Sequence, residues 1–399
     1  MNNLSKNSIP IDLPASKSIS NRVLILKFLS QQDFFIKNLS TANDTKLMLQ
    51  CLENIKSGKN KVIDSEDAGT VFRFLTSVLS ITSGEWIVTG TDRMQERPIK
   101  TLVDALREIG AEIIYLKNEG FPPIQIKGRK LDGGEIAIPL SSSSQFVSSL
   151  MMIAPFLPKG LKININLRDY NSMPYIKMTA DIMQYFGLSV DINETCICIS
   201  PAVFNPKPII IENDWSAASY FYGAVAVRSE LNLSLTGLFQ KSIQGDSIVS
   251  KWLEQLGVGT TFLENEIRLT NTGKRVDVFN ENFQNYPDLA QTFAVCCALL
   301  KIPATLSGLS SLKVKETDRL KALSTELTKL GVFTMVENDT LCITPSDYSV
   351  KEPVETYSDH RMAMAFSLLE LLHENVIIVN KNVVKKSFPD FWKEFEKLR

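Results

Sequence analysis

Lysine and arginine side chains stand where the sequence predicts the start of buried helices. Lys17 and Arg22 lie in SKSISNRVLILKFL, and Arg361 lies in SDHRMAMAFSLLELL. A cation at a helix N-terminus opposes the helix dipole, so each of these side chains is expected to have an anionic partner. The free N–H groups at the same helix ends also attract anions. The pattern therefore predicts a cleft that binds small phosphorylated anions.

Three further charged clusters add to this set, and they contain Arg97, Arg319 and Lys386. The clusters are RMQERPIK (93–100), SLKVKETDRLKAL (311–323) and VVKKSFPDF (383–391). Each alone is typical of a solvated surface. The chain has no GxGxxG, Walker, HExxH or GxSxG motif and only two histidines. We therefore expect no cofactor and no metal, and a reaction of two anionic substrates through proton transfer and electrostatic stabilisation.

The composition is that of a globular protein with more than one domain. The chain has 399 residues, 44% hydrophobic and 22% charged, with a formal net charge of -1. The near-neutral charge argues against a general nucleic-acid-binding protein. The first residues lack the apolar core of a signal peptide, and the apolar runs are shorter than the roughly 18 residues of a membrane helix. The six cysteines show no zinc-binding spacing. We expect a cytoplasmic protein with buried free thiols and no nucleic-acid or membrane partner.

One recurring pattern is an amphipathic helix that ends on a glycine and leads directly into a strand. It appears in LVDALREIGAEIIYL, TADIMQYFGLSVDI, VSKWLEQLGVGTTF and LSTELTKLGVFTMV. The glycines are Gly110, Gly187, Gly257 and Gly331, spaced by about seventy residues. Each suits the left-handed position that ends a helix. Weaker copies, MLQCLENIKSGKNKVI and FWKEFEKLR, would bring the number to six.

A second recurring pattern is a nearly uncharged helix whose first residues are small and polar. Its six copies are SKSISNRVLILKFL, DAGTVFRFLTSVL, SSSSQFVSSLMMIAPF, DWSAASYFYGAVAV, YPDLAQTFAVCCALL and SDHRMAMAFSLLELL. A helix that is apolar on nearly every face is buried. One buried and one amphipathic helix per unit, separated by β-rich runs, predict an α/β repeat used six times. We expect two globular bodies of three repeats each, hinged at SPAVFNPKPIIIEN (200–213).

Ten motifs, in this order along the chain, resemble the 5-enolpyruvylshikimate-3-phosphate (EPSP) synthases, which are 3-phosphoshikimate 1-carboxyvinyltransferases of the enolpyruvyl transferase family. The motifs are LPASKSISNR, DAGT, RMQERPIKTLVDALREIGA, SSSSQF, SMPYI, SIQGD, YPDLA, VKETDRL, SDHRMAMAFSL and KSFPDF. The resemblance runs from about Leu13 to Phe391, which is nearly the whole chain. Each motif alone is loose, but their order is highly specific.

The resemblance implies an α/β fold of two domains, each built of three βαββαβ repeats arranged as an inside-out α/β barrel. The first strand of such a chain joins the C-terminal domain, so the chain crosses twice between the domains. We place these crossings, which form the hinge, near residues 13 and 212. The N-terminal domain is then 14–211, and the C-terminal domain is 1–13 together with 212–399. We also expect a monomer whose domains close on the substrates.

The reaction that the resemblance implies transfers the enolpyruvyl group of phosphoenolpyruvate to the 5-hydroxyl of shikimate 3-phosphate and releases phosphate. It belongs to the shikimate pathway, which leads to chorismate and the aromatic amino acids. Carried over by motif, Asp288 is the general base and Glu316 is the acid and base at the methylene carbon. Lys17 and Lys386 complete the implied catalytic set.

The remaining motif residues would bind the two substrates. Shikimate 3-phosphate would be bound by Lys17, Ser18, Arg22, Ser143, Ser144, Gln145, Ser172, Tyr175, Asp288, Ser311 and Lys315. Phosphoenolpyruvate would be bound by Lys17, Asp67, Gly69, Thr70, Arg97, Gln145, Arg319, His360, Arg361 and Lys386. Guanidinium groups suit planar carboxylates and phosphates because they donate bidentate hydrogen bonds. So many cations should lower the pKa of a carboxylate such as Asp288, which weakens it as a base unless bound substrates offset them.

Three positions depart from the family pattern. Asp67 stands where Asn is frequent, Phe74 where Pro is frequent, and Ser311 where Asn is frequent. These changes bear on affinity and on the response to inhibitors rather than on the reaction type. Gly69 is retained, and an alanine there would crowd its loop. The sequence therefore predicts sensitivity to glyphosate.

Three other functions fit the sequence less well. The sister enzyme that adds enolpyruvyl to UDP-N-acetylglucosamine carries a reactive cysteine before its Arg-Pro pair, whereas this loop reads GTDRMQERP. A non-catalytic binding protein on the same scaffold should lack the acid–base pair, but Asp288 and Glu316 are both present. RNA-end cyclases share related repeats, and the neutral net charge disfavours them.

Overall fold

The structure is a computed structural model that describes residues 8–140, 142–168 and 170–399. Residue 141 of the SSSSQF motif and the N-terminal segment 1–7 lie outside the described residues. The α-helices are α1 (Lys17–Ser30), α2 (Asn43–Ser57), α3 (Gly69–Ile81), α4 (Asp92–Gln95), α5 (Lys100–Glu108), α6 (Ser144–Ile153), α7 (Met173–Tyr185), α8 (Trp215–Val227), α9 (Val249–Glu254), α10 (Ala290–Leu299), α11 (Arg319–Lys329), α12 (His360–Phe366) and α13 (Phe391–Glu396).

The strands are short. They are β1 (Ile9–Ile11), β2 (Ile36–Lys37), β3 (Val62–Asp64), β4 (Gly84–Thr89), β5 (Glu112–Tyr115), β6 (Ile124–Gly128), β7 (Gly134–Ala137), β8 (Leu161–Asn164), β9 (Val190–Ile192), β10 (Cys196–Ile199), β11 (Ile209–Ile210), β12 (Asn232–Thr236), β13 (Val258–Phe262), β14 (Glu266–Asn271), β15 (Phe279–Asn282), β16 (Ala304–Ser307), β17 (Phe333–Glu337) and β18 (Thr340–Thr344). Short 3-10 helices occupy Ala154–Phe156, Gly245–Ile248, Pro287–Leu289, Ser310–Val314, Ser367–Leu371 and Lys381–Lys386.

The chain divides into two compact units. The N-terminal unit comprises Lys17–Ser40 and Asp44–Ile211. The C-terminal unit comprises Thr41–Asn43, Glu212–Arg399 and the described residues up to Ser16. Strand β1 belongs to the C-terminal unit because it pairs in parallel with β12, with Ile9 opposite Leu233 and Ile11 opposite Leu235.

Four sheets share one topology. The N-terminal unit holds the sheets β3-β4-β6-β5 and β7-β8-β10-β9, and the C-terminal unit holds β1-β12-β14-β13 and β15-β16-β18-β17. In each sheet the first two strands are parallel, and the remaining neighbours are antiparallel. In each sheet, the two strands that come last along the chain pair with each other in antiparallel fashion. The two strands that come first are parallel, so a crossover connection joins them. A parallel pair of β2 with β11 adds a smaller sheet.

The six segments that the sequence predicts as buried helices are helical and buried. They form α1, α3, α6, α8, α10 and α12, and 3-10 turns extend or precede several of them. In α8, every residue from Ala217 to Ala226 is buried, and in α10 every residue is buried. Such helices have no polar face that water could solvate, so the sheets and amphipathic helices must surround them.

The predicted helix-ending glycines are confirmed. Gly110, Gly187, Gly257 and Gly331 follow α5, α7, α9 and α11 and have φ values of 95°, 81°, 91° and 91°. These left-handed values suit glycine, which has no Cβ to clash with the carbonyl. The glycine turns each amphipathic helix directly into the next strand, for example α11 into β17.

The cysteines are free thiols, as the sequence predicts. Cys51, Cys196, Cys296 and Cys297 are buried, and the other two are half-buried. Among the described residues, the helices are all too short or too polar to cross a lipid bilayer.

Candidate active site

In the N-terminal unit, the buried helices α1, α3 and α6 pack against one another. Arg22 lies in α1 and is 2% exposed. Its Nε donates to Thr179 Oγ1 at 2.7 Å, and its Nη2 donates to Ser148 Oγ at 3.1 Å. The backbone carbonyls of Ser18 and Tyr175 accept from Nη1 and Nη2 at 2.9 and 3.4 Å. Arg22 thus brings together three predicted substrate residues, although Ser18 and Tyr175 take part through their backbones.

The partners of Arg22 in these hydrogen bonds are neutral oxygens. Burial lowers the pKa of its guanidinium to about 10, because a charged group is disfavoured away from water. The Arg22 Cζ lies 5.4 Å from the centre of the Phe74 ring, so one departure from the family pattern packs directly on this cation. A buried cation held by neutral acceptors is costly, and an anionic ligand would offset that cost.

Lys17, at the first position of α1, has the anionic partner that the sequence argument requires. Its Nζ lies 3.0 Å from Asp44 Oδ2, and both side chains are largely buried. Asp44 lies in the first turn of α2, where a carboxylate is favoured by the helix dipole. The pair holds the ammonium group at the N-terminal end of α1.

Gly69 and Arg97 are in direct contact at the start of α3. A Cβ placed on Gly69 would lie 2.8 Å from both Nη1 and Nη2 of Arg97 and 2.9 Å from its Cζ. Arg97 is 5% exposed, and its Nη1 donates to the backbone carbonyl of Asp67 at 3.3 Å. The guanidinium therefore lies directly against Gly69, where any side chain would displace it. The Asp67 carboxylate accepts a short hydrogen bond from the Thr91 hydroxyl.

Thr70, Gln145 and Arg73 form a hydrogen-bonded chain between α3 and α6. Gln145 Nε2 donates to Thr70 Oγ1 at 3.0 Å, and Arg73 Nη1 donates to Gln145 Oε1 at 2.5 Å. The hydroxyl of Ser143, the N-cap of α6, accepts from the Gln145 backbone N–H at 3.3 Å. Neighbouring Ser144 is buried at the first position of the helix. The polar residues at the two helix starts are thus linked.

Ser172 is the N-cap of α7 and adopts a left-handed conformation with φ of 60°. The backbone N–H of Tyr175 donates to its carbonyl at 3.1 Å. Ser172 is buried, and Tyr175 is half-buried. This turn therefore stands beside the Arg22 network, because the Tyr175 carbonyl accepts from Arg22.

In the C-terminal unit, a network of ion pairs surrounds Asp288. Arg361 Nη2 donates to Asp288 Oδ2 at 2.7 Å, and Arg319 Nη1 donates to Asp288 Oδ1 at 3.2 Å. Burial acts to raise the pKa of Asp288, but the positive charges of Arg361, Lys315 and Arg319 outweigh it and hold that pKa well below its ordinary value. Asp288 lies in the 3-10 helix Pro287–Leu289 that leads into α10.

Arg319 is the most enclosed cation of this network, with 1% exposure at the first position of α11. Its Nε donates to Asp359 Oδ2 at 2.6 Å, and its Nη2 donates to Asp359 Oδ1 at 3.2 Å. Nη2 also donates to Glu316 Oε2 at 2.8 Å. Although burial alone would lower the pKa of Arg319, these carboxylates raise it above its ordinary value.

Glu316 links Arg319 to Lys386, whose Nζ lies 3.7 Å from Glu316 Oε1. Lys386 lies at the end of the 3-10 helix Lys381–Lys386, so two distant motifs meet at this carboxylate. His360 is 2% exposed, with Nδ1 3.6 Å from Asp359 Oδ1. Ser311 is not brought into the network: among the described residues, its buried Oγ has no hydrogen-bond partner.

Asp246 and Tyr220 complete the network and were not predicted from the sequence. Burial, followed by the negative charge of Asp288, raises the pKa of Asp246 to about 7. The Ser216 hydroxyl donates a short hydrogen bond to its carboxylate. The Tyr220 hydroxyl lies 3.4 Å from Arg361 Nη1, and burial raises the pKa of Tyr220 to about 12.

Sequence reasoning also missed Asp44, Arg73 and Asp359 as partners of site residues. Asp359 is the N-cap of α12, where its carboxylate accepts from the Arg361 backbone N–H at 2.9 Å. The SIQGD motif contains Asp246, so the resemblance gave a signal for that residue. Nothing in the pattern around Asp44 indicates its pairing with Lys17. Among the described residues, no group of three His, Cys, Asp or Glu side chains converges as metal ligands would.

The similarity of this chain to known proteins extends over nearly its whole length. The family model described as EPSP synthase (3-phosphoshikimate 1-carboxyvinyltransferase) matches residues 4–395. A 3-phosphoshikimate 1-carboxyvinyltransferase of Bacteroides fragilis (strain YCH46) is 45% identical, over 97% of this chain and 94% of the relative. The enzyme of that name from Shewanella baltica (strain OS155) is 36% identical, over 98% of this chain and 96% of the relative.

Solved structures of EPSP synthases are similar to this chain in fold. An EPSP synthase structure from Acinetobacter baumannii superposes with a TM-score of 0.74 at 20% identity, over 98% of this chain and 95% of that one. A second structure from the same organism gives a TM-score of 0.76 at 19% identity, over 98% and 96% of the two chains.

Proposed function

The chain belongs to the EPSP synthase family and has its α/β two-domain fold, and on that premise we propose that it transfers the carboxyvinyl group of phosphoenolpyruvate to the 5-hydroxyl of shikimate 3-phosphate, with release of phosphate. The observation that carries the proposal is the ion network of the C-terminal unit. There two buried arginines, Arg319 and Arg361, bind the carboxylate of Asp288 beside Glu316. Such a cluster combines anion binding with acid–base groups.

Most of the residues assigned to shikimate 3-phosphate lie in the N-terminal unit around Arg22. The buried guanidinium has neutral partners in Thr179 and Ser148, so a phosphate nearby would supply its missing counter-charge. Ser143, Ser144 and Gln145 at the start of α6 offer hydroxyl, amide and backbone N–H groups to the same ligand. The remaining assigned residues are Lys17, Ser18, Ser172, Tyr175, Asp288, Ser311 and Lys315.

Phosphoenolpyruvate is assigned to the arginines and to the Gly69 loop. Arg319 and Arg361 suit a carboxylate or phosphate because a guanidinium donates two parallel hydrogen bonds. Arg97, whose guanidinium lies against Gly69, would bind phosphoenolpyruvate beside this loop. The remaining assigned residues are Lys17, Asp67, Thr70, Gln145, His360 and Lys386.

The proposed reaction has two steps. In the first, Asp288 takes the proton of the 5-hydroxyl, the oxygen bonds to C2 of phosphoenolpyruvate, and Glu316 protonates C3 to give a tetrahedral intermediate. In the second, Glu316 removes a proton from C3, the C2–O bond to phosphate breaks, and Asp288 returns its proton to the departing phosphate. Lys386, 3.7 Å from Glu316, and Lys17 stabilise the negative charges that develop.

The low pKa of Asp288 makes it a weak base before substrates bind. Binding of phosphoenolpyruvate would bring a carboxylate and a phosphate to Arg319 and Arg361, which now neutralise Asp288. Their positive charge would then be shared with the substrate, and the pKa of Asp288 would rise. Substrate binding would in this way activate the base.

The repeat architecture is part of the proposal. Four sheets share one topology, and the pair β2–β11 together with the isolated parallel bridge Val354–Ile378 are candidates for the cores of two further repeats. Six repeats, three in each unit of an inside-out α/β barrel, would bring the starts of the buried helices to one end of each unit. We also propose that the protein works as a cytoplasmic monomer with small-molecule substrates.

The test is a phosphate-release assay with phosphoenolpyruvate and shikimate 3-phosphate. Release that depends on shikimate 3-phosphate, and that is lost in Asp288→Ala and Glu316→Gln, is the expected result. A parallel reaction with UDP-N-acetylglucosamine as acceptor distinguishes the sister activity. Folded wild-type protein that releases phosphate only with UDP-N-acetylglucosamine, or with neither acceptor, would overturn the assignment.

A further inference from the structure

Glu326 is a buried carboxylate that the proposed reaction does not use. It lies in α11, two turns after Arg319 and therefore on the same face of the helix, and it is 1% exposed. Its Oε1 accepts from the Tyr357 hydroxyl at 2.6 Å, and its Oε2 accepts from the Glu355 backbone N–H at 3.1 Å. Lys329 Nζ lies 2.8 Å from Oε2. Two of these three donors belong to the segment that precedes α12.

That segment has a conformation that needs external support. Tyr357 and Ser358 have φ values of 53° and 55°, in the left-handed region that residues with a Cβ rarely adopt. The hydrogen bonds to Glu326 hold the segment at Glu355 and Tyr357. Burial, followed by its hydrogen bond to Glu326, raises the pKa of Tyr357, so its hydroxyl keeps its proton and remains a donor.

Asp359 follows directly and binds two residues of the ion network, Arg319 and Arg361. Its backbone N–H donates to the Thr356 carbonyl at 2.8 Å, which closes the turn. Its carboxylate accepts from Arg319 Nε at 2.6 Å and from the Arg361 backbone N–H at 2.9 Å. Helix α11 is therefore joined to residues 355–361 at two places, by Arg319 at its start and by Glu326 in its middle.

We propose that Glu326, together with Tyr357, is a positioning residue for the reaction. It fixes residues 355–358 on α11, and this fixed segment sets the orientation of Asp359. Asp359 in turn holds the Arg319 guanidinium and the first turn of α12, which carries Arg361. Glu326 acts through these residues and does not touch a substrate. The inference rests on the proposed function in one respect, the assignment of Arg319 and Arg361 to phosphoenolpyruvate.

Loss of the carboxylate should act on the site through geometry. In Glu326→Gln, the amide keeps the volume but cannot accept from both Tyr357 and Glu355 as the two carboxylate oxygens do. In Tyr357→Phe, one donor is removed and the backbone contact of Glu355 is kept. A segment with two left-handed residues would then populate other conformations, and Asp359 would hold Arg319 less well.

The chain offers a closely matched control in Glu394. This glutamate is also 1% exposed and lies in the same unit, in α13. Its Oε2 accepts from a backbone N–H, that of Asp12, at 2.8 Å and from Lys397, three residues later, at 2.5 Å. Glu394→Gln therefore repeats the chemical change, the burial and two of the three partner types, a backbone N–H and a lysine three residues later. Both of these partners lie outside residues 355–361.

Steady-state kinetics of the wild type, the three single variants and one double variant provide the first test. Glu326→Gln and Tyr357→Phe should raise the KM for phosphoenolpyruvate at least about fivefold, the effect of losing one ordinary hydrogen bond. The KM for shikimate 3-phosphate should change less than about twofold in the same variants. Glu394→Gln should leave both KM values within about twofold of wild type. The double variant Glu326→Gln/Tyr357→Phe should be less impaired than the product of the single effects, because both changes disturb the same Tyr357–Glu326 hydrogen bond.

Hydrogen–deuterium exchange tests the same proposal without turnover. Peptides that cover residues 355–362 should exchange at least about fivefold faster in Glu326→Gln and Tyr357→Phe than in wild type, and at the wild-type rate in Glu394→Gln. If the wild type does not turn over the proposed substrates, the proposed function fails and this measurement still decides the positioning of the segment. Unchanged exchange in both variants, or equal KM changes in all three single variants, would overturn the inference.

Discussion

Arg361 binds Asp288 through two separate hydrogen bonds, from Nη2 to the side-chain Oδ2 at 2.7 Å and from Nη1 to the backbone carbonyl at 3.2 Å. The arginine thus fixes both the position of this turn and the direction of its carboxylate. The same contact lowers the pKa of Asp288. Arg361 therefore orients the proposed base and weakens its basicity by lowering its pKa. It is itself the proposed partner of an anionic substrate.

Asp288→Asn should lower kcat by about a hundredfold to ten-thousandfold, the usual contribution of a general base. The amide keeps the size of the side chain and can still accept from one arginine, so the fold should survive. Phosphate release under saturating substrates measures the effect, and a circular dichroism melt confirms folding. A decrease of less than about tenfold in a folded variant would contradict the assigned role.

Gly69→Ala should raise the KM for phosphoenolpyruvate by about tenfold or more, the scale of lost charge-assisted hydrogen bonds. The new Cβ would lie 2.8 Å from the Arg97 guanidinium, which has to move. Arg97→Lys removes the bidentate guanidinium itself, so its effect on the KM for phosphoenolpyruvate should resemble that of Gly69→Ala. Kinetics at fixed shikimate 3-phosphate measure the change, and a wild-type KM in Gly69→Ala would show that the contact is unimportant.

Sensitivity to glyphosate stays a prediction, and it depends on the loop that contains Asp67 and Gly69. The Gly69–Arg97 contact is present, and the Asp67 carboxylate, one of the three departures, is engaged with Thr91. Inhibition of phosphate release by glyphosate, weakened in Gly69→Ala, is the expected outcome. A rate that stays at the uninhibited level in millimolar glyphosate would refute it.

Arg22→Met should abolish the stabilisation that shikimate 3-phosphate gives to the folded protein. The wild type should melt at a higher temperature with the ligand, because a ligand that binds only the folded state stabilises it. Without the guanidinium, the hydroxyls of Thr179 and Ser148 remain paired at 2.9 Å, so the variant should still fold. Lys27→Met, on the surface end of α1, is the control. Equal melting shifts in wild type and Arg22→Met would remove Arg22 from the phosphate site.

Asp246→Asn should change how stability depends on pH. Burial beside Asp288 raises the pKa of Asp246 from 3.8 to about 7. Between these values the folded state holds a proton that the unfolded chain has lost, so the free energy of unfolding falls as pH rises through this window and levels off above it. The variant lacks this slope. Its free energy of unfolding, taken relative to that of the wild type, should therefore rise by about 2 kcal/mol between pH 5 and pH 8. Urea unfolding at both pH values measures the gain. A constant difference would show that Asp246 is already ionised at pH 5.

Much of the local structure could be predicted from sequence patterns. The four glycines at the ends of amphipathic helices have the left-handed φ values that their positions require. The six apolar helices are buried because no face of them is polar. The motifs also named most of the polar residues at the helix starts, since a family resemblance carries residue types and order along the chain.

The partners of those residues were decided by tertiary structure alone. Lys17 meets Asp44 and Glu316 meets Lys386 across gaps in sequence that no periodicity spans. The sequence predicts an anion beside Arg22, whereas the fold surrounds its guanidinium with the neutral oxygens of Thr179 and Ser148. The difference has one physical reason. Helix and turn signals depend on neighbours along the chain, whereas a pKa or an ion pair depends on charges that only packing brings within a few ångströms.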